Sequence, residues 1–483
     1  MTDLGTRSAR ELAAMIRRKQ ISSRELLDHF LEAIAERNAP LNAVVSLDEE
    51  RARAAAAQAD EATARGEALG PLHGLPMTVK DTFETAGLRT TAGNPAWSEH
   101  VPETDSEAVS KLRRAGAVVV GKTNVPFMAA DVQSYNAIFG TTNNPHDLAR
   151  TPGGSSGGAA VSTACGFTSL EIGSDIGGSI RTPSHWPGVY GHKPTHGIVS
   201  NRGHLPGPPG MQSQPDLGVA GPIARSAGDL AVGLDVLAGP DLHTEVAWRL
   251  DLPAPRHDRL SDFRVAAWLD HPSLPVDAVV LERLQATVEA LRHAGARVDE
   301  KARPAFELDD LRHAYFQLLM PIILADVDDG TLAGLVQRAE AFAPDDTSEE
   351  AVMARAPLVA HREWLVTHEL RERARMAFRD FFADFDVLLC PVTSVPAIPH
   401  DHSPFPARTI EVNGAARPYH DLFGWISMAT ACLLPATAAP VGRTAAGLPV
   451  GVQIIGPYLE DRTTIEFARL LGDEIGGFEP PAR

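Results

Sequence analysis

Short β-branched runs alternate with helical patterns over residues 70–239, and this alternation constrains the fold more than any other feature of the chain. Residues 117–120 and 169–172 are short apolar runs bounded by glycines, which is typical of buried strands. Residues 105–115 and 158–165 each precede one of these runs and have the residue pattern of a helix. Because strands that alternate with helices pack as a helix-covered sheet, the sequence predicts an α/β core.

The sequence predicts a single domain, residues 1–483, in which a helical segment is inserted into the sheet core. Ser8 and Ser22 precede helical patterns as N-caps, and Ser22 has the spacing of a capping box with Glu25. Four segments are expected in chain order: N-terminal helices over 1–69, the catalytic α/β core over 70–303, a helical insertion over 304–384 that caps a pocket, and a return to the sheet over 385–483. Within the last segment, residues 400–418 are predicted to be a proline-containing loop.

Composition excludes several classes of protein. The net charge of −18 disfavours nucleic acid and anionic membranes as partners. The three cysteines have no CxxC spacing, which fits a reducing compartment and argues against a disulfide framework or a zinc site. The N-terminus lacks the basic and apolar regions of a signal peptide, and no apolar run reaches the ~18 residues of a membrane span. We therefore expect a cytoplasmic protein.

Three short segments carry a lysine and two serines in surroundings that favour nucleophilic catalysis. They are residues 75–81 with Lys80, residues 152–158 with Ser155 between two Gly-Gly pairs, and residues 175–181 with Ser179 after another Gly-Gly pair. A serine is a weak nucleophile until a base removes its proton, and no histidine is adjacent to either serine. A buried lysine loses its charge and can act as that base. The glycines allow backbone N–H groups to converge on an oxyanion.

The order and flanks of these segments closely resemble the amidase signature family of Ser-Ser-Lys amide hydrolases. The two serines stand 24 positions apart, which is the spacing of that family. Further stretches that are similar to the family pattern are residues 74–76, 121–124, 139–145, 191–195, 221–226 and 447–453. The resemblance extends over nearly the whole chain and is densest over residues 70–229.

The resemblance implies an α/β fold with a large mixed sheet covered by helices on both faces. It also implies that Ser179 is the nucleophile and that Ser155, usually on a cis peptide in this family, relays its proton to Lys80. The implied oxyanion hole consists of the N–H groups of Ile176, Gly177, Gly178 and Ser179. The residues implied to support the serine loops are Ser156, Asp175 and Arg181. The reaction implied is amide hydrolysis through an acyl-enzyme, with no metal and no organic cofactor.

The sequence departs from the common family pattern at residues that suggest a substrate pocket. Phe127 and Met128 stand where many relatives carry a carboxylate or an amide. We expect a hydrophobic, aromatic-lined pocket formed by Phe127, Met128, Ala129 and Tyr135 and capped by Tyr315 and Phe316 of the insertion. The expected substrate is a small-molecule aryl or alkyl amide, or a carbamate (urethane), with esters as a further class. The expected assembly is a monomer or a homodimer.

Two motifs allow other interpretations. Residues 116–123 fit the P-loop pattern GxxxxGK[ST], but their central residues are an apolar β-branched run, and Pro126 prevents the helix that should follow. Residues 154–158 fit G-x-S-x-G and would make Ser156 the nucleophile of an α/β-hydrolase-type esterase. That interpretation leaves Lys80 and the second serine without a role.

Other kinds of site and function also remain open. His192 and His196 have helical spacing, but Pro194 lies between them, so we expect no metal site there. The chain could be a degenerate family member that serves as a binding subunit, and the intact lysine and serines argue against this. A partner-dependent amidotransferase subunit is the remaining alternative, and it predicts little activity of the chain alone. The sequence has no conspicuous arginine fixed for the substrate carboxylate that such a subunit would recognise.

Overall fold

A large mixed sheet forms the centre of the protein. The computed structural model describes residues 4–67, 69–325, 327–346 and 348–482. The strands in these ranges are β1 Val44–Leu47, β2 Pro76–Lys80, β3 Val118–Thr123, β4 Tyr135–Asn136, β5 Gly140–Thr141, β6 Leu170–Asp175, β7 Tyr190–Lys193, β8 Val219–Ala224, β9 Arg264–Ala267, β10 Arg297–Asp299, β11 Val387–Pro391, β12 Thr409–Val412, β13 Ala415–Pro418, β14 Ala436–Arg443 and β15 Pro449–Ile455. Eight of them form one sheet in the order β10-β9-β11-β15-β14-β7-β8-β6.

The eight-stranded sheet is mixed because β9 runs parallel to β10 and β11, whereas the remaining pairs are antiparallel. Every residue of β6, β7, β8, β11 and β15 is buried, so both faces of the sheet are covered. The predicted α/β fold with a large mixed sheet is confirmed.

Helices pack on this sheet and build the rest of the chain. The α-helices in the described ranges are α1 Ala9–Arg17, α2 Ser23–Arg37, α3 Glu49–Arg65, α4 Glu107–Arg114, α5 Gly157–Ala164, α6 Arg181–His185, α7 Ala227–Leu237, α8 Ala278–His293, α9 Leu308–Ile323, α10 Asp329–Glu340, α11 Glu349–Arg355, α12 His361–Asp384, α13 Gly424–Ala431 and α14 Asp461–Ile475. Ser8 and Ser22 cap α1 and α2, as their sequence positions predict, each within a complete capping box. Across the described part of the chain, every helix is too short or too polar to cross a membrane.

A smaller three-stranded sheet brings the lysine segment to the site. Its order is β1-β3-β2, with β2 parallel to β3, and Lys80 is the last residue of β2. All five residues of β2 are buried, and the strand packs against β6 of the large sheet. The end of β2 and the end of β6 therefore lie close to each other.

The segment predicted to be a loop over residues 400–418 contains a β-hairpin, so that prediction is wrong in part. Strands β12 and β13 pair antiparallel, and Val412 lies opposite Ala415. Asn413 and Gly414 connect them with φ values of 53° and 78°. Two consecutive residues of positive φ are the signature of a tight hairpin turn, which asparagine and glycine form most readily.

Candidate active site

Lys80 and Ser155 are in direct contact in the buried centre of the protein. Lys80 Nζ donates to Ser155 Oγ at 2.7 Å and to Ser174 Oγ on β6 at 2.8 Å. The Lys80 side chain is fully buried, and Ser155 is 1% exposed. No sequence motif indicates Ser174, because its contact with the lysine depends on the packing of β2 against β6.

Burial decides the charge of Lys80. Loss of water contact disfavours the ammonium form and lowers the pKa of Lys80 to about 7, although the negative charge of Asp175 acts in the opposite direction. A lysine with this pKa is neutral in a large fraction of molecules near neutral pH. Its amine can then accept a proton from the hydroxyl of Ser155, which lies within hydrogen-bond distance.

The loop that carries Ser155 is held against the neighbouring backbone. The peptide bond between Gly154 and Ser155 is cis. A Cβ atom on Gly154 would lie 2.6 Å from the carbonyl oxygen of Asp131, so only glycine fits this close approach. Ser134 Oγ donates to the carbonyl oxygen of Gly153 at 2.9 Å and accepts from the N–H of Gly157 at 3.1 Å. These contacts fix the loop on both sides of Ser155.

Ser179 lies in a turn that begins where β6 ends. The Ser179 residue is 7% exposed, and its carbonyl oxygen accepts from the N–H of Ser156 at 3.2 Å. The turn therefore connects directly to the loop of Ser155. Within the described ranges, the Ser179 hydroxyl has no hydrogen-bond partner, so it is not committed to another group.

Three backbone N–H groups of this turn make no hydrogen bond within the described part of the chain. Those of Ile176, Gly177 and Ser179 have no acceptor among the residues that the structure describes. Gly178 differs from the expectation, because its N–H donates to Asp175 Oδ1 at 2.9 Å. Gly178 has a φ of +87°, and its conformation turns this N–H back toward the carboxylate. Its role in this structure is to close the turn.

Asp175 and Arg181 form a fully buried ion pair beneath the turn. Arg181 contacts both carboxylate oxygens, at 2.8 and 3.0 Å. Burial by itself would raise the pKa of Asp175, but the Arg181 guanidinium and the backbone N–H donors outweigh it and lower the pKa to about 2. Arg181 also donates to Gln453 Oε1 and Thr430 Oγ1, both at 2.6 Å. The ion pair thus fastens the Ser179 turn to β15 and α13.

Ser156 is placed differently from the other two serines. Its Oγ donates to the carbonyl oxygen of Ser174 and accepts from the N–H of Ser174, both at 3.4 Å. Among the described residues, no histidine or carboxylate bonds to this hydroxyl. A nucleophile of the α/β-hydrolase type needs a base within hydrogen-bond distance, so the geometry gives no support to that role for Ser156.

The residues of the P-loop motif and of the histidine pair are packed and hydrogen-bonded within the fold. Residues 118–123 are strand β3, and Lys122 is fully buried with its Nζ donating to Thr85 Oγ1 at 2.8 Å. A strand with a buried lysine offers no row of exposed N–H groups for a phosphate. His192 Nε2 lies 3.1 Å from Asp461 Oδ1 in the core, and His196 contacts a different element, the carbonyl oxygen of Pro215.

The predicted pocket residues lie along one surface segment. Phe127 is 54% exposed, and Met128 and Ala129 have positive φ values of 53° and 52°. Tyr135 is partly buried, because its ring stacks on His402 at 3.8 Å and its hydroxyl accepts from Arg408 at 2.7 Å. No hydrogen bond in the described ranges joins these residues to the serine turn.

The side chains that border the Ser179 turn come from α9 and from the residue that precedes α13. The Tyr315 hydroxyl on α9 donates to the carbonyl oxygen of Ile176 at 3.0 Å. A Cβ atom on Gly177 would lie 3.2 Å from the ring of Phe423 and 3.4 Å from the Tyr315 hydroxyl. Phe316 packs edge-on against Phe423 at 6.2 Å. The sequence predicts Tyr315 and Phe316 as cap residues, whereas it does not indicate Phe423, because nothing in the local sequence sets that residue apart.

Comparison with known proteins decides the family. The family model described as "Amidase" matches residues 25–465. The chain belongs to the amidase signature family. The family predicted from the lysine and serine segments is therefore confirmed.

The amidase family contains relatives of several kinds. A glutamyl-tRNA(Gln) amidotransferase subunit from Synechococcus sp. (strain CC9605) is 33% identical over 482 residues, which cover 93% of this chain and 92% of the relative. A solved structure described as "An unexpected vestigial protein complex reveals the evolutionary origins of an s-triazine catabolic enzyme" has 27% identity and a TM-score of 0.81, covering 99% of this chain and 100% of that one. A bacterial aryl acylamidase has 24% identity and a TM-score of 0.79, covering 97% and 96%. The last likeness shows the fold alone.

Proposed function

We propose that this amidase-family chain hydrolyses carboxylic amide C–N bonds through an acyl-enzyme formed on Ser179. One observation carries the proposal: Lys80, whose pKa is lowered to about 7, lies 2.7 Å from Ser155 Oγ. A buried lysine that bonds a serine hydroxyl beside a glycine turn has the arrangement of a base and a nucleophile. The fixed contacts of both serine loops hold these groups in place before substrate binds.

In the proposed reaction, neutral Lys80 takes a proton from Ser155 Oγ while Ser155 takes one from Ser179 Oγ. Ser179 Oγ then bonds to the amide carbon, and the carbonyl oxygen becomes an oxyanion. The N–H groups of Ile176, Gly177 and Ser179 receive this charge. The same relay returns the proton to the leaving nitrogen as the C–N bond breaks. Water attacks the acyl-enzyme by the same route, releases the carboxylic acid and restores Ser179.

Asp175 and Arg181 support this reaction through position and charge. Their bonds hold the turn from both sides, and Asp175 fixes the N–H groups of Gly178 and Ile180. The arginine also satisfies the Asp175 carboxylate, so this negative charge does not keep Lys80 protonated. A neutral Lys80 and an ionised Asp175 can therefore coexist in one buried site.

The side chains around the turn favour a substrate with an apolar group. Phe423 and Tyr315 border Gly177. Arg408 has the charge that a substrate carboxylate would require, but its guanidinium is bonded to Asp131, Tyr135 and the carbonyl oxygen of Ser403. We infer that aryl or alkyl amides, and carbamates with the same carbonyl and leaving amine, are the substrate class.

A partner-dependent amidotransferase subunit is the second candidate, and sequence similarity favours it. The amidotransferase subunit of Synechococcus aligns with almost the whole chain at 33% identity. The chemistry at Ser179 would be the same, with ammonia as the leaving group. The difference lies in the substrate and in the need for a second protein.

One panel of substrates separates the candidates. The isolated chain is assayed with anilides, aliphatic amides, aryl carbamates, esters and glutamine, alongside Ser179→Ala and the matched control Ser156→Ala. We expect turnover of anilides or carbamates that Ser179→Ala abolishes and Ser156→Ala retains in part. Turnover of glutamine alone, weak in the isolated chain and increased when a partner protein is added, would favour the second candidate. Loss of activity in Ser156→Ala with turnover kept in Ser179→Ala would overturn the assignment of the nucleophile.

A further inference from the structure

Helix α12 has an exposed face that repeats as regularly as its buried face. The residues that α12 buries against the protein are Thr367, Arg371, Ala374, Phe378, Phe381 and Phe382. On the opposite side, six exposed residues follow one another at intervals of four and three: Arg362, Val366, Glu369, Arg373, Met376 and Asp380. We call these six residues the outer seam. Positions at alternating intervals of four and three lie along one face of an α-helix, so these six side chains form one continuous stripe.

The outer seam is complementary to itself when its direction is reversed. Residues at equal distances from position 371 are matched in kind: Arg362 with Asp380, Val366 with Met376, and Glu369 with Arg373. Two identical helices related by a two-fold axis perpendicular to them run antiparallel, so these are the residues that face each other when such an axis passes position 371. Each layer then pairs either two apolar side chains or two opposite charges.

The apolar side chains of the outer seam are exposed and can therefore contact a second helix. Val366 is 67% exposed and Met376 is 44% exposed, so two large apolar side chains of one seam face solvent. Leu365 and Leu370 flank the seam, and each is 50% exposed. Residues 362–380 span about 27 Å of helix at a rise of ~1.5 Å per residue. That length gives a second helix a continuous surface to pack along.

The charges of the seam point to a second copy of the chain as its partner. The whole chain carries a net charge of −18, which repels a second copy. The seam itself has two arginines and two acidic residues, so it is locally neutral. Arg373 Nε already bonds Glu369 Oε1 at 3.1 Å within one helix, and both side chains are more than half exposed. A second antiparallel helix would extend this pair into a ring of four charges around the axis.

We propose that two copies of this chain form a symmetric dimer through α12, with the outer seams antiparallel and the two-fold axis near Arg371. The proposal concerns a surface on the insertion and is independent of the substrate. Arg371 itself stays buried, where its Nη1 donates to Asp216 at 2.6 Å. That bond anchors the helix to the protein, so the seam is presented on a fixed element.

Sedimentation velocity on the full chain tests the proposal, over concentrations from low micromolar to hundreds of micromolar. Wild type is expected to be a dimer. Val366→Glu places a charge in the apolar layer, and Glu369→Arg places an arginine opposite Arg373 of the second copy, so each should weaken the dimer about tenfold or more. The double variant Glu369→Arg/Arg373→Glu restores opposite charges and should restore the dimer. Val246→Glu, at a residue 82% exposed elsewhere on the surface, is the matched control and should change nothing.

Three results would overturn the proposal. The first is a wild-type monomer at every concentration, and the second is a dimer that Val366→Glu and Glu369→Arg leave intact. The third is failure of the double charge reversal to restore a dimer that Glu369→Arg has broken. Circular dichroism of each variant confirms that the helix still forms, which is expected because the substituted side chains face solvent.

Discussion

Replacing Lys80 with methionine should stabilise the folded protein and remove its activity. Folding moves the pKa of Lys80 from its ordinary value of 10.5 to about 7. At about 1.4 kcal/mol per pKa unit, this difference corresponds to roughly 5 kcal/mol of unfavourable free energy when the lysine is protonated. Methionine has a similar length and no charge. The variant loses the hydrogen bonds to Ser155 and Ser174, and each loss reduces the gain in stability by about 1 kcal/mol.

The dependence on pH separates the charge of Lys80 from every other effect of the substitution. The unfolded chain keeps this proton up to the ordinary pKa of 10.5, whereas the folded chain releases it near pH 7. Between these values the unfolded state binds more protons, so the destabilisation caused by burying Lys80 is complete below pH 7 and diminishes as pH rises. The stability advantage of Lys80→Met is therefore largest below pH 7, and it should shrink by roughly 2 kcal/mol between about pH 7 and about pH 9.

Urea unfolding followed by tryptophan fluorescence measures this difference at both pH values. Lys301→Met, at an exposed lysine, is the matched control and should show no comparable change with pH. A stability difference between wild type and Lys80→Met that stays constant across this range would contradict the lowered pKa of Lys80. It would mean that folding does not take the proton from Lys80, and that the lysine is not available as a base near neutral pH.

Three further predictions concern the site. Arg181→Met leaves the buried Asp175 carboxylate without its counter-charge and should cost about 3–5 kcal/mol of stability. The thermal unfolding midpoint should fall accordingly, and an unchanged midpoint would contradict the role of the ion pair. Tyr315→Phe removes the hydroxyl that bonds the carbonyl of Ile176, worth about 1 kcal/mol, so kcat should fall about fivefold with little change in thermal stability. A kcat equal to wild type would show that this bond does not position the turn. The value of kcat/KM should rise as pH passes about 7, because Lys80 becomes neutral, and a profile that is flat with pH would argue against a lysine base.

Local sequence signals predict much of the fold. The capping boxes of Ser8 and Ser22 mark the starts of α1 and α2, and glycine-bounded apolar runs form β3 and β6. The hairpin at Asn413 and Gly414 has an equally local signal, an Asn-Gly pair between two short runs. The prolines of this segment favour a loop instead, although Pro418 at the end of β13 is compatible with an edge strand.

The candidate site can be predicted only in part. The glycine-framed segments indicate Lys80, Ser155 and Ser179, because the glycines that an oxyanion hole needs stand directly beside the serines in the sequence. Contacts made across the fold have no such signal. Ser174 meets Lys80 only because β2 packs against β6, and Phe423 meets Gly177 from a distant part of the chain. The use of the Gly178 N–H by Asp175 follows from backbone geometry, which a residue pattern does not specify.

The nucleophile is tested most directly by labelling with a fluorophosphonate. This reagent bonds covalently to an activated serine and releases fluoride, and mass spectrometry of the digested protein then locates the modified residue. We expect one adduct, on Ser179, that is absent in Ser179→Ala and forms far more slowly in Lys80→Met. An adduct on Ser155 or Ser156 in the wild-type protein, with Ser179 unmodified, would contradict this expectation.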